Sequence, residues 1–189
     1  MSKPIIPRQQ VHEWSEAIGQ NPMEHQAALQ RLLKSQRRIS RFVEENAESM
    51  DMGTGGVAMY LIGVILRIFD LAGGEIRSAS WAQVREAEAR IQAAVPELLP
   101  LDDKLPERAR AIDWRAQPHI LDEALMALFE RDSKEGEEDL DNTESFKVYM
   151  LMWVAVEVLN GNWKAPKSFE GAGTYEYVHI DPNAESDEA

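Results

Sequence analysis

No cysteine occurs among the 189 residues, which excludes disulfide frameworks, thiolate zinc sites, dithiol redox motifs and cysteine nucleophiles. Strand signals are scarce as well: only Thr174 to Ile180 carries the β-branched and aromatic pattern of a strand. The uncharged run Met52 to Leu66 is too short to span a bilayer, so no membrane segment is expected. The first eight residues hold Lys3, Pro4, Pro7 and Arg8 and no apolar leader core, and a cytoplasmic location is the expectation. G-x-S-x-G and HExxH signatures are missing. The glycines between Met52 and Gly56 have no lysine after them, which removes a P-loop. No fixed-period repeat is found, so a helical solenoid is not expected.

What the chain does have is acid. Thirty-three Asp and Glu stand against 20 Lys and Arg, for a net charge of −13. The excess is local. Residues 132–145 hold seven acids and one lysine, a net of −6, and residues 168–189 hold six acids against Lys-free and Arg-free sequence, another −6. The other 153 residues therefore carry −1, so the folded body is close to neutral and the acidity belongs to one loop and one tail. Runs of this kind are normally solvated and mobile. High negative charge also disfavours nonspecific nucleic-acid binding.

Helical punctuation dominates the rest. Val11, Trp14, Ala17 and Ile18 mark a short amphipathic helix that Gly19 ends. Asn21 caps a second one with Pro22 at its first position, and its apolar face (Leu29, Leu32, Leu33, Ile39, Val43, Ala47) continues to about Met50 with near-heptad spacing. Val57 to Ala72 is apolar on all sides and reads as a central core helix, with Gly63 tolerated if another helix approaches closely there. Ser80 and Gln83 form a capping box for a helix to about Ala94, before Pro96, Pro100 and Pro106 interrupt the chain. A short helical piece follows from Glu107 to about Arg115, and Pro118 opens a helix through Arg131. Asp141 and Glu144 make a second capping box for a helix to Leu159, again apolar nearly all round. The expected architecture is all-α, one domain of about six helices over residues 1–167. Two apolar helices lie at its centre, and residues 168–189 form an acidic, mostly extended tail. The lone strand 174–180 would need a partner, either Ile5 and Ile6 or the sheet edge of another molecule.

Three groups of residues are candidate sites. Arg31, Lys34, Arg37, Arg38 and Arg41 form a basic stripe spanning about 120° of the long helix, a surface for phosphate or an acidic protein, or simply its wet side; the acidic loop could fold back to screen it. Arg67, Asp70 and Glu157 lie in the two apolar helices, where a charge needs a partner. They read either as structural ion pairs, Arg67 with Asp70 or across to Glu157, or as a polar ligand pocket walled by Tyr60 and Trp153. His119, Asp122 and Glu123 share one helical face at i, i+3 and i+4, a weak metal-ligand spacing.

E-x-x-E pairs occur at Glu13 and Glu16 and at Glu45 and Glu48, but the helix that follows Glu48 offers only Asp70, and the E-x-x-D of Glu138 to Asp141 lies far away in the acidic loop. The Mg²⁺-binding pattern of helical nucleotide pyrophosphohydrolases is therefore not met. With no catalytic motif and no implied cofactor, the expectation is a noncatalytic acidic interaction protein: an adaptor, inhibitor or immunity-type protein acting through its charged mobile segments. The alternative is a small-molecule or metal-dependent helical enzyme or sensor with a polar pocket between the core helices. A protein partner is expected and nucleic acid is not; a homodimer is suggested by the heptad-like face and the lone tail strand.

Overall fold

The computed structural model describes residues 3–137, 139–169 and 174–184, and the statements below concern those residues. The fold is all-α. Its helices are α1 (Arg8–Gln20), α2 (Pro22–Ser35), α3 (Arg37–Glu48) and α4 (Met52–Ala72), followed after the two-residue strand β1 (Glu75–Ile76) by α5 (Trp81–Leu98), α6 (Leu105–Arg110), α7 (Pro118–Leu125) and α8 (Asn142–Asn162). The strand β2 (Trp163–Lys164) closes the helical part. Eight helices replace the six expected, chiefly because the long second helix is two.

α4 and α8 are the centre. Asp51 caps α4 by accepting the Thr54 N–H at 3.0 Å and the Thr54 hydroxyl at 2.6 Å, and Asp141 caps α8 in a reciprocal capping box with Glu144. Both helices are buried on almost every side because α4 packs on α1, α2, α3 and α8, while α8 packs on α3, α4, α5 and α7. α4 is the one helix among the described residues long and apolar enough to cross a membrane by length and composition; here its surface is spent on four other helices. The C-terminal ends of the two central helices are stitched together. β1 and β2 pair antiparallel, Glu75 with Lys164 and Ile76 with Trp163. The buried Trp163 indole donates to the Gly73 carbonyl at 2.8 Å and meets Phe69 edge-on at 5.5 Å, a geometry worth about 0.5–1.5 kcal/mol beyond area burial.

Several boundaries differ from the sequence-based expectation, each for a physical reason. The helix from Pro22 breaks at Gln36 (φ −104°, ψ 44°), whose buried side chain leaves the helix surface to bond the Arg77 carbonyl and the Ala79 N–H. Ser40 Oγ donates to the Leu33 and Gln36 carbonyls at the break, an insertion of the kind that bends helices. The heptad-like face is buried in the chain's own core through Leu32, Ile39 and Val43, so it is not free to pair with a second copy. α5 runs past Pro96 to Leu98. The helix from Pro118 turns into a π-helical turn, Met126–Glu130, closed by the Arg131 N–H on the Met126 carbonyl. Residues 174–180 form no strand ladder and run instead as a strap without regular secondary structure.

The close helix approach expected at Gly63 falls at Gly55. A Cβ on Gly55 would lie 2.9 Å from the Ala47 carbonyl oxygen, whereas one on Gly63 would meet only the tip of Leu29 at 3.4 Å. We therefore expect Gly55→Ala to destabilise by about 1–3 kcal/mol and Gly63→Ala to be neutral or stabilising by up to about 1 kcal/mol. Urea unfolding of both variants checks this; equal effects would contradict the packing. Asp51 supplies a pH test. The Thr54 hydroxyl and N–H lower its pKa from 3.8 to about 2, so its stabilising contribution is complete above 3.8 and is lost as the pH falls toward 2. The stability advantage of the native chain over Asp51→Asn should accordingly shrink across that interval.

Candidate functional site

α7 is a short helix with no wet face: all eight residues from Pro118 to Leu125 are buried, including His119, Asp122 and Glu123. Charges in that setting must be answered locally, and the answers come from four different parts of the chain. The helix starts from Gln117, whose backbone is left-handed (φ 42°, ψ 58°). Its side chain accepts the Ile6 N–H at 2.9 Å and donates to the Pro4 carbonyl at 2.8 Å and the Asn160 side chain at 3.0 Å. A non-glycine residue in that conformation costs of order 1 kcal/mol and persists only where its surroundings over-determine it; here three hydrogen bonds do so. They tie the extended N-terminal segment to the last turn of α8. Lys3 completes the tie by donating to the carbonyls of Asn160, Gly161 and Trp163 at the helix C-terminus, where a cation suits the helix dipole.

The three polar residues of α7 do not converge on one point. Both ring nitrogens of His119 are engaged by carbonyls, Nδ1 with Ile6 at 2.9 Å and Nε2 with Glu176 at 3.0 Å. Asp122 accepts from Arg115 at 3.1 Å and from the Tyr175 hydroxyl at 2.7 Å. Glu123 pairs with Arg8 and faces His12 Nδ1 at 3.2 Å from each oxygen. The His119, Asp122, Glu123 trio is thus three separate contacts, and a metal shared among them does not fit this geometry. Ile6 and the tail are neighbours, as the strand expectation had it, but His119 bridges them in place of a ladder.

These contacts belong to a layer of charge balanced by sign. Arg8, Arg110 and Arg115 face Asp122, Glu123 and Glu130, the last paired with Arg110 from the π-helical turn. Burial alone would push the Glu123 carboxyl up; the His12 hydrogen bond and the Arg8 charge outweigh it and hold it below the usual carboxylate range. The same hydrogen bond raises His12. Tyr175 is pushed up by burial and by donating to Asp122, and burial likewise raises Tyr149. The strap lies across this layer: Arg110 covers the Tyr177 ring at 4.4 Å, and the Asp132 N–H donates to Asn183 at 2.8 Å. Between Arg8, Arg110, Glu130 and the strap is a cavity of about 10 Å³, the space of one water and too small for a substrate.

The other candidate residues are placed as follows. Arg67 donates to Asp70 and to His25 Nδ1, and Arg31 also reaches Asp70, at 3.1 Å. Glu157 is elsewhere: it accepts from Arg90 at 2.5 Å, the Ala116 N–H at 2.7 Å and the Trp153 indole at 3.1 Å. Arg67 and Glu157 therefore do not pair across the central helices. Tyr60 is exposed while Trp153 is fully buried, so they do not face each other as pocket walls. All five stripe residues are exposed. Arg31 pairs with Asp70, Arg41 with Glu45, and Arg38 lies 6.0 Å from the Trp81 ring. The acidic loop pairs with Arg131 through Glu137, and no ion pair joins it to the stripe among the described residues. A wider, open groove of about 410 Å³ lies beside Arg90, Ala93, Ala94, Glu97 and Trp114.

Sequence reasoning missed Arg8, His12, Arg110, Arg115, Gln117 and Tyr175. One signal was available: Ile120, Leu121, Ala124 and Leu125 leave α7 no purely polar face, so its acids had to be buried and their cations had to be sought elsewhere. Compared with known proteins, the chain matches no family model, no curated protein and no solved structure.

Removing one charge of a buried pair should cost far more than removing a neutral donor. We expect Asp122→Asn to destabilise by about 3–5 kcal/mol by stranding Arg115, and Tyr175→Phe by about 1–3 kcal/mol. Chemical denaturation measures both; an Asp122→Asn chain no weaker than Tyr175→Phe would show that the carboxylate charge is not needed.

Proposed function

We propose that the protein is a noncatalytic interaction protein, of the adaptor, inhibitor or immunity type, that engages a basic partner protein through an acidic face. The observation that carries this reading is the hydrogen bond from the Asp132 N–H to Asn183 at 2.8 Å. It sets the start of the acidic loop beside the end of the strap, so the described acids of two segments far apart in sequence are brought to one side of the protein. Asp132, Glu135, Glu137, Asp139, Glu176 and Asp181 are exposed on these two segments; Glu138, Glu170, Glu185, Asp187 and Glu188 lie outside the described residues. Tyr177 and Val178, 43% and 46% exposed, add apolar area within the charged surroundings, the mixture from which interface cores and rims are built.

The chemistry of the buried layer supports the same reading. Asp122, both ring nitrogens of His119 and the Tyr175 hydroxyl are committed to partners inside the chain, and the cavity beside them admits nothing larger than water. An acidic surface with a small aromatic centre instead suits steered association with a cationic protein. From Thr174 to Ile180 the strap's backbone is engaged by a side chain at the Glu176 carbonyl among the described contacts, and the remainder is open to pairing with a partner's strand edge.

Capture from lysate, followed by titration of the captured protein, purified, against the native chain and against a Tyr177→Ser, Val178→Ser variant, tests this. Both positions are exposed and the variant gives up only the Tyr177 ring's contact with Arg110, so its melting temperature is expected to stay close to the native one. The reading expects binding at least tenfold weaker in the variant and falling as salt is added. Binding that ignores both the variant and the salt, or a melting temperature raised by a nucleotide or metabolite with no protein captured, would overturn it.

A further inference from the structure

We propose that His12, Glu16 and Glu123 form a binding site for one divalent transition-metal ion of the Zn²⁺ class, clamping α1 to α7. His12 and Glu16 are four residues apart on α1 and so share a face; Glu123 reaches them from α7. One ligand atom from each of the three lies within 4.8 Å of the others, and His12 Nδ1 is already 3.2 Å from Glu123 Oε1. Bonds of about 2.0–2.2 Å to imidazole nitrogen and carboxylate oxygen set ligand atoms about 3–3.6 Å apart, so only Glu16 has to move, by about an ångström. It is the exposed member of the trio, and no hydrogen bond or ion pair holds it among the described residues, so a change of rotamer suffices.

The surroundings already do what a metal site needs. Glu123 is buried, its Oε2 is held by Arg8 and both of its oxygens lie 3.2 Å from His12 Nδ1, so the carboxylate is fixed in place by a charged neighbour, as metal ligands are by hydrogen-bonded outer partners. One imidazole with two carboxylates is a mixed nitrogen and oxygen set, which favours Zn²⁺ or Co²⁺ over the all-oxygen preference of Mg²⁺ and Ca²⁺. Three protein ligands leave a fourth position for water or for a carboxylate from another molecule. This trio differs from the His119, Asp122 and Glu123 spacing on α7 itself: Glu123 is common to both, but its fellow ligands come from a different helix.

The test uses the full chain, untagged and freed of metal with a chelator. It is titrated with CoCl2 followed by visible absorption and with ZnCl2 followed by calorimetry, alongside Glu16→Gln, His12→Gln and the exposed His179→Gln. The proposal expects one saturable equivalent in the native chain and in His179→Gln. Binding should be at least tenfold weaker in Glu16→Gln and His12→Gln, with a Zn²⁺-dependent rise in melting temperature that Glu16→Gln abolishes. Glu16→Gln is a surface change, and its metal-free melting curve should match the native one, so loss of binding cannot be loss of fold. Absence of saturable binding, undiminished binding in Glu16→Gln, or equal competition by MgCl2 would overturn it.

Discussion

Two adjacent carboxylates, Asp122 and Glu123, are buried on a helix of eight residues, and much of the molecule is arranged around answering them. A buried carboxylate without a counter-charge costs several kcal/mol, so the fold cannot place α7 without also placing Arg115 just before it, Arg8 at the start of α1 and the tail tyrosine across it. The two acids point to different partners: Asp122 recruits Arg115 and Tyr175, and Glu123 recruits Arg8 and His12. Segments at opposite ends of the chain are thereby fastened to one short helix. The charge layer is thus a structural device first, which agrees with a reading in which recognition is left to the outer surface.

The apolar centre and the charge layer are mechanically linked. α4 and α8 are joined at their C-terminal ends by β1 and β2, and Gln117 ties the start of α7 to Asn160 near the end of α8. Displacement of α7 would be felt at the sheet through α8, and Lys3 would lose its carbonyls at the same time. The strap is the least committed member: it contributes one hydroxyl, one carbonyl, two aromatic rings and one amide side chain to the body, and most of its other side chains are exposed. An element held by a few polar contacts, next to a loop of like charge, is well placed to meet another molecule without disturbing the core.

Much of the fold was legible in the sequence because its signals are local. The capping boxes at Ser80 with Gln83 and Asp141 with Glu144, and the all-round apolar character of α4 and α8, need only neighbours along the chain to be read. What was not legible depends on distant partners. The break at Gln36 requires the loop at Arg77 and Ala79, and nothing within α2 or α3 announces it. Gly55, not Gly63, carries the close contact because of where the Ala47 carbonyl falls, which spacing alone does not show. The same holds for the candidate site. His119, Asp122 and Glu123 were identifiable as unusual, yet their partners Arg8, His12, Arg115 and Tyr175 come from segments whose meeting is a tertiary event. Glu157 illustrates the reverse: of the two pairings open to Arg67, the local one with Asp70 forms, and Glu157 on the neighbouring central helix takes Arg90 from α5.

The pairing of Glu75 and Ile76 with Lys164 and Trp163 also sets a timetable for synthesis. α4 leaves the ribosome with its partners α1 to α3 already made, but its contact with α8, and the strand that locks their ends, must wait for residues nearly ninety positions later. At about 5–20 residues per second that wait is on the order of 5–20 s. During it, the most apolar helix of the chain lacks its largest buried neighbour, so a nascent chain stalled before α8 would be a natural client for a chaperone.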